Sequence, residues 1–301
     1  MNDPNDPNDP NDKKVMHAES IPREIDALTS ATLKHLHDRW WDASFTQFLQ
    51  DTLQPRAGNR ILDVGCGTGK AEVSLGGLGL SQVTWFGIDR VHARVHEAAD
   101  AAASHNIRAA LATADASHLP FVNDAFDSTF TVAVLQHMKD LDAAVLEFAR
   151  VTKPGGRVLV VEPDNSARYW YSSVESGERL FELGALFFKA LAELKDTSTE
   201  LAVGPQVAGI FVRQGIEPTA VRLFPVASAQ LGAPPPTVWN ARRRSVREAI
   251  ETAPDESIRR LGADYLKLLD RYAEEAKAAG NSFVEIQHTM LFATVGQRPL
   301  D

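Results

Sequence analysis

The chain has 301 residues, 44% of them hydrophobic and 24% charged, which are the proportions of a soluble globular protein able to bury one large α/β core or two small ones. With 40 acidic against 31 basic side chains its formal net charge is −9. That field repels polyanions and argues against nucleic acid or an anionic membrane as partner. A lone cysteine, Cys66, excludes an internal disulfide and suits a reducing compartment, and no apolar run reaches the length of a membrane span.

Along the chain, the first residues repeat Asn-Asp-Pro, with neither the positive start nor the apolar centre of a secretory signal. They predict a disordered tail over residues 1–20 of a cytoplasmic protein. Helical spacing of Ile25, Leu28, Leu33, Leu36, Trp40, Phe45, Phe48 and Leu49 predicts two amphipathic cap helices over residues 21–56. From Arg60 apolar stretches at Ile61 to Val64, Val83 to Ile88, Arg108 to Ala112, Ser128 to Val134 and Arg157 to Val161 alternate with helical ones. Such alternation predicts right-handed βαβ units and a parallel sheet covered on both faces. Lys153-Pro154-Gly155-Gly156 ends the helix Asp142 to Val151 and turns into the fifth strand. Further helices are expected at Arg179 to Leu194 and Pro205 to Gln214, then a strand at Thr219 to Val226. Two more helices follow the Pro234-Pro235-Pro236 break, the second with Asp255 as N-cap and Gly280 past its end, and His288 to Val295 is the last strand.

The stretch Ile61-Leu62-Asp63-Val64-Gly65-Cys66-Gly67-Thr68-Gly69-Lys70 carries the chemistry. A strand ending in an acid and turning through three glycines into a helix brings bare backbone to a ligand at the carboxyl edge of a sheet. A phosphate-binding Walker loop needs glycine where Val64 stands and a hydroxyl where Ala71 stands, and a dinucleotide fingerprint needs glycine in place of Lys70. The second strand ends in Asp89, placed for the hydroxyls of a ribose. The third is followed by Asp115-Ala116 and Leu119-Pro120-Phe121, which offer a carboxylate to an exocyclic amine and a backbone amide to a ring nitrogen. The fourth is followed by Leu135-Gln136-His137. All of these face one crevice.

With these motifs, Phe126-Asp127 and Arg150-Val151-Thr152-Lys153-Pro154-Gly155-Gly156, the chain resembles, over Arg60 to Asp164, the class I S-adenosylmethionine-dependent methyltransferases, in particular the small-molecule group that includes the quinone-biosynthesis enzymes. The resemblance implies a Rossmann-like doubly wound α/β fold with a seven-stranded, mostly parallel sheet whose last strand is antiparallel. It implies S-adenosylmethionine as cofactor, bound by Asp63, Gly65, Cys66, Gly67, Gly69, Asp89, Arg90, Asp115, Ala116, Val134 and Leu135. Gly65 and Gly67 would admit the methionine part and the ribose, with Asp63 near the amino group. Asp89 would hold the ribose hydroxyls, Asp115 and Ala116 the adenine, and Val134 and Leu135 the methionine end. A site of carboxylates and amides suits a sulfonium cation and repels a pyrophosphate.

Asp63 and Asp89 are alternatively helix caps, and Cys66 reads as a small filler of the turn. His137 is the candidate general base, since it follows the fourth strand, where methyl and acceptor meet. Glu162 and Asp164 border the same crevice as candidate substrate contacts. Tyr169-Trp170-Tyr171 and Trp40-Trp41 either wall an acceptor pocket or pack a core. His35 and His37, two apart on a helix, do not face each other, so no metal site is expected. Arg242-Arg243-Arg244 reads as a solvated helix face. The segments at 165–203 and 227–282 of the domain spanning 57–301 are longer than its connections require and are expected to form helical lid insertions over a small organic acceptor. The expected reaction is in-line methyl transfer by a monomer or homodimer. Nucleic-acid or protein methylation and a catalytically silent cofactor-binding protein are the alternatives.

Overall fold

A computed structural model describes residues 41–76, 82–194, 202–253 and 255–300. The tail, the first of the expected cap helices, Trp40 and the pair His35 and His37 lie outside the described residues.

Helix α1 (Ala43–Leu53) starts where the Asp42 carboxylate accepts the Phe45 N–H at 2.9 Å, an N-cap worth about 1 kcal/mol. The sheet follows: β1 (Arg60–Val64), β2 (Thr84–Asp89), β3 (Ala109–Thr113), β4 (Phe126–Val132), β5 (Thr152–Ser172), β6 (Glu217–Leu231) and β7 (Val284–Gln297). Between them run α2 (Lys70–Gly76), α3 (His92–Ser104), α4 (Leu141–Val151), α5 (Gly177–Leu194), α6 (Val203–Arg213), α7 (Pro236–Thr252) and α8 (Glu256–Ala279). The seven strands lie in the order β3-β2-β1-β4-β5-β7-β6. Neighbours from β3 to β5 pair in parallel, and β7 runs antiparallel to both β5 and β6. The expected sheet is therefore present, and its order reverses between β1 and β4, the switch point at which open α/β sheets hold ligands.

Period-two alternation explains the layers. Leu62 and Val64 of β1 and Val158 and Val160 of β5 point into a core shared with Val145 and Phe148 of α4 and Val207 and Phe211 of α6. Ile61, Leu159 and Val161 point to the other face, where Phe45, Phe48 and Leu49 of α1, Leu75 of α2 and Trp85 of β2 close the second core. Full burial of each such side chain is worth about 1.5–3 kcal/mol. At the amino edge Asp127 accepts the Arg60 N–H at 2.8 Å and the Lys153 ammonium at 2.7 Å. Burial raises the Asp127 carboxyl, but these bonds outweigh it and hold it below its usual value.

The long insertions differ from the expectation at their bases. Residues 165–172 and 227–231 are strand, not helix: β5 continues past a bulge between Asp164 and Tyr169 and pairs Ser172 with Glu285 of β7, while Leu231 of β6 pairs with Val284. Because β5 runs parallel to β4, this three-stranded extension leaves the sheet at its carboxyl edge. It carries α5, α7 and α8, whose core contains Phe187, Trp239, Tyr272 and Phe283. Trp170 packs there against Phe181 and Tyr272, whereas Tyr169 stacks on His288 at 5.1 Å. Nor is Arg242 a solvated cation. It grips Glu285, 3% exposed, with bonds of 2.8 and 3.0 Å, and the Tyr272 hydroxyl donates to the same carboxylate at 2.8 Å. Burial raises the Glu285 carboxyl, and Arg242 more than reverses this.

Replacing Arg242 with alanine strands a buried carboxylate between the extension and its helices. We expect it to cost about 3 kcal/mol, read as a lower urea midpoint, with Arg243→Ala, whose exposed partner Asp270 remains solvated, costing under about 1 kcal/mol.

Candidate active site

The chain leaves β1 and turns with positive φ at Gly65 (81°), Gly67 (54°) and Gly69 (81°). At Gly65 space imposes a second demand, because a Cβ there would lie 2.2 Å from Cγ2 of Val134 in the loop after β4. A Cβ on Gly67 would meet nothing within 4 Å, which marks this as the open side of the turn. Gly69 instead backs onto Ala98 of α3, 3.2 Å from where its Cβ would be. The Gly65 and Cys66 N–H groups donate to the Ile88 carbonyl at 2.7 and 2.9 Å, clasping the turn to the end of β2. Asp89, 8% exposed, accepts the Gly67 N–H at 3.0 Å and the Val91 N–H at 2.8 Å. It braces the turn rather than capping the interior of α3.

Under the turn the environment is acidic and dry. Asp63 is 4% exposed, and burial, then Glu72, then Asp89, push its carboxyl well up. Glu72, in the first turn of α2, is 1% exposed, and neither carboxyl oxygen has a hydrogen-bond partner. Burial pushes it up to about 7. The Cys66 thiol is buried among the same acids, which together with burial raise its pKa far above normal. A thiol so protonated is inert, and Cys66 offers the crevice only its backbone.

The loop after β4 is bent by Ala133, a non-glycine residue at φ 58°, a conformation costing about 1–2 kcal/mol. Glu162 holds it there. Its Oε1 accepts the N–H groups of Val134 and Leu135, both at 2.7 Å, and Oε2 accepts that of Gln136 at 3.2 Å. The expectation that Glu162 touches substrate is therefore corrected: the residue is 0% exposed and spends its carboxylate on backbone. Burial pushes it up to about 7 against the pull of those three donors. Leu135, also fully buried, offers backbone rather than side chain to the crevice. Asp164 accepts the Ser166 hydroxyl and the N–H groups of Ser166 and Ala167, closing the bulge of β5. Arg168 donates to Asn165 at 2.8 Å and Asn165 to Gln136 at 3.0 Å, which ties that bulge to the β4 loop. His137 ends the single 3-10 turn Leu135–His137 on the exposed side.

Asp115, past β3, accepts the Ser117 N–H at 2.8 Å and its hydroxyl at 2.5 Å. Burial raises this carboxyl, but the Ser117 bonds and then the Arg90 charge bring it below its usual value. Arg90 thus acts beside Asp115, and Ala116 follows it half-buried. The predicted residues therefore line the carboxyl ends of β1 to β4. The two acids whose role sequence reasoning missed left only faint signals: Glu72 shares a helical face with Leu75, and Glu162 follows the apolar run Val158 to Val161. Two open depressions of about 480 and 610 Å³ lie elsewhere, on the outer helices beside Arg244 and Arg179.

Residues 62–160 match the family described as Methyltransferase domain. That stretch, about a third of the chain, is similar to methyltransferase domains. Methyltransferase GfsG of Streptomyces halstedii is 35% identical over 119 residues, covering 39% of this chain and 42% of that protein. Demethylmenaquinone methyltransferase of Mycobacterium marinum is 32% identical over 145 residues, 48% of this chain and 56% of its own. The chain spans about half the length of such curated relatives. The solved structure of the YcgJ protein of Bacillus subtilis superposes with a TM-score of 0.53 at 18% identity, covering 86% of this chain and all of that one, a likeness of fold. The methyltransferase domain's cofactor is S-adenosylmethionine, and the residues present fit it: the open side of the Gly67 turn lies above buried acids, one of which has both oxygens unpartnered.

Gly65→Ala forces a Cβ onto Val134 at the crevice, so we expect it to abolish cofactor uptake in a fluorescence titration. Gly67→Ala, penalised by φ alone, is expected to lose about 1–2 kcal/mol of stability. The apo protein's pH dependence follows from Glu72. Its carboxyl sits at about 7 when folded against about 4.3 unfolded, so between these values the folded state holds a proton that the unfolded state has lost. This contribution to stability is complete below about pH 4.3 and disappears as pH rises through about 7. Urea midpoints of the wild type should fall across that window more steeply than those of Glu72→Gln.

Proposed function

We propose that the chain transfers the methyl group of S-adenosylmethionine to a small organic acceptor by in-line displacement. The observation that carries the reading is the contact of the glycine turn with the β4 loop at the switch point, over a floor of buried acids. When bound, the cofactor supplies an electrophilic methyl on a sulfonium with a good leaving group. The chain's own part is to hold donor and acceptor collinear and to exclude water. Gly65 and Gly67 admit the cofactor to bare backbone. Asp63 faces its ammonium group, Asp89 the ribose hydroxyls, and Asp115 with Ala116 the adenine. Val134 and the backbone of Leu135 bound the methionine end. Gly69 and Cys66 shape the turn, and Arg90 orients Asp115.

The helices α5, α7 and α8, carried past the carboxyl edge by the extended strands, form the lid over the acceptor. His137, exposed on the β4 loop, is the group placed to take a proton from an acceptor hydroxyl. The similarity to methyltransferases of small molecules supports such an acceptor, as does a net charge of −9, which disfavours nucleic acid. No described helix is long and apolar enough to cross a membrane, in keeping with a cytoplasmic enzyme.

Metabolite extract incubated with the protein and methyl-labelled cofactor should yield label in the small-molecule fraction. Asp89→Ala should lose cofactor affinity and the signal. Label found only in protein or nucleic acid would overturn the acceptor class, and cofactor uptake without any turnover would favour a silent binding protein. With an acceptor in hand, His137→Ala should lower kcat by about 100-fold or more and remove the acidic limb of the pH profile, while leaving cofactor affinity intact.

A further inference from the structure

Glu72 belongs to that acidic floor but has no assigned role in that reading. It is a carboxylate 1% exposed with no hydrogen-bond partner for either oxygen, a condition that native structures rarely tolerate without a use. Its direction is defined: Oε1 lies 2.9 Å from where a Gly87 Cβ would stand, beside the Cys66 Cβ, hence beneath the glycine turn between the ends of β1 and β2. The titratable groups on which it acts are Asp63 from β1 and Cys66 from the turn, and Asp89 from the end of β2 acts on those same two. The cations carried by the flanking helices are Lys70 on α2 and Arg94 on α3. Asp63 and Glu72, both buried and acting on each other, are not both ionised, and a proton stays on the pair near neutrality.

We propose that Asp63 and Glu72 form a proton-linked counterion that distinguishes the methyl donor from the spent product. Binding of S-adenosylmethionine brings a sulfonium in addition to the ammonium and carboxylate that both ligands share. The added positive charge drives the retained proton from the pair to solvent, and an ionised pair then faces a cation. In methyl transfer the carbon–sulfur bonding pair stays on sulfur and the methyl leaves on the acceptor, so the site loses one positive charge. The carboxylate takes a proton back from solvent, and the neutral thioether product is held less tightly. The inference rests on cofactor binding at the glycine turn and adds to it a means of product release.

The test is calorimetric titration of the whole chain with S-adenosylmethionine and with S-adenosylhomocysteine, at several pH values and in buffers of different ionisation enthalpy, which counts protons exchanged on binding. Below about pH 7 the donor should release close to ~1 proton and its affinity should rise about tenfold per pH unit, levelling off above. The product should release clearly fewer and show a flatter profile. The α-amino group common to both ligands cancels in the ratio of affinities. Glu72→Gln, neutral and nearly isosteric, should abolish the difference in proton count and flatten that ratio with pH. Equal proton release for the two ligands, or an unchanged difference in folded Glu72→Gln, would overturn the proposal. The wild-type comparison decides the matter even where the variant fails to fold. Binding of both ligands with equal proton release removes this inference alone, whereas no uptake of either removes the functional reading as well.

Discussion

The contact between Gly65 and Val134 constrains everything around it. Two parallel strands at the switch point, β1 and β4, must turn away from each other within one residue of the same place, and their loops meet with no room for a single added carbon. The first loop meets this demand by having no side chain. The second meets it with a bent residue, Ala133, and with a buried acid from β5 that gathers three successive N–H groups. The crevice is the space left over by this meeting. Its shape is set by backbone, which is why a ligand can lie directly on the main chain.

Charge follows the same geometry. The sheet brings Asp63 and Asp89 to neighbouring strand ends, and α2 adds Glu72 beneath the glycine turn. Burial between the hydrophobic layers raises the carboxyls of Asp63 and Glu72, so this pair holds its proton more tightly than solvated acids do. A polyphosphate has no place over such a floor, whereas a ligand with an ammonium and a sulfonium has. The acidic whole-molecule charge points the same way at longer range, but the local arrangement is what discriminates.

Beyond the crevice, the unusual length of β5, β6 and β7 turns an ordinary edge into a support. The same strands that complete the sheet continue past its carboxyl edge and carry a second apolar core, closed near the tip of the extension by Arg242, Glu285 and Tyr272. The ion pair there joins α7 to β7, fastening the helices to the strands.

The sequence by itself determined the parallel βαβ core, the glycine turn and the acids at successive strand ends, because these depend on short-range rules: period-two and period-3.6 patterning, the φ tolerance of glycine and fixed spacing after each strand. Strands β1 to β4 lie within about two residues of where that patterning put them. Tertiary structure alone decided the fates of Glu72, Glu162 and Arg242. An acid or an arginine reads locally as a solvated residue, and only the packing of a distant element tells whether it is buried and what it meets. The strand character of residues 165–172 was likewise invisible, since Asn165, Ser166 and Arg168 are poor strand formers and extend only because β7 pairs with the residues beyond their bulge.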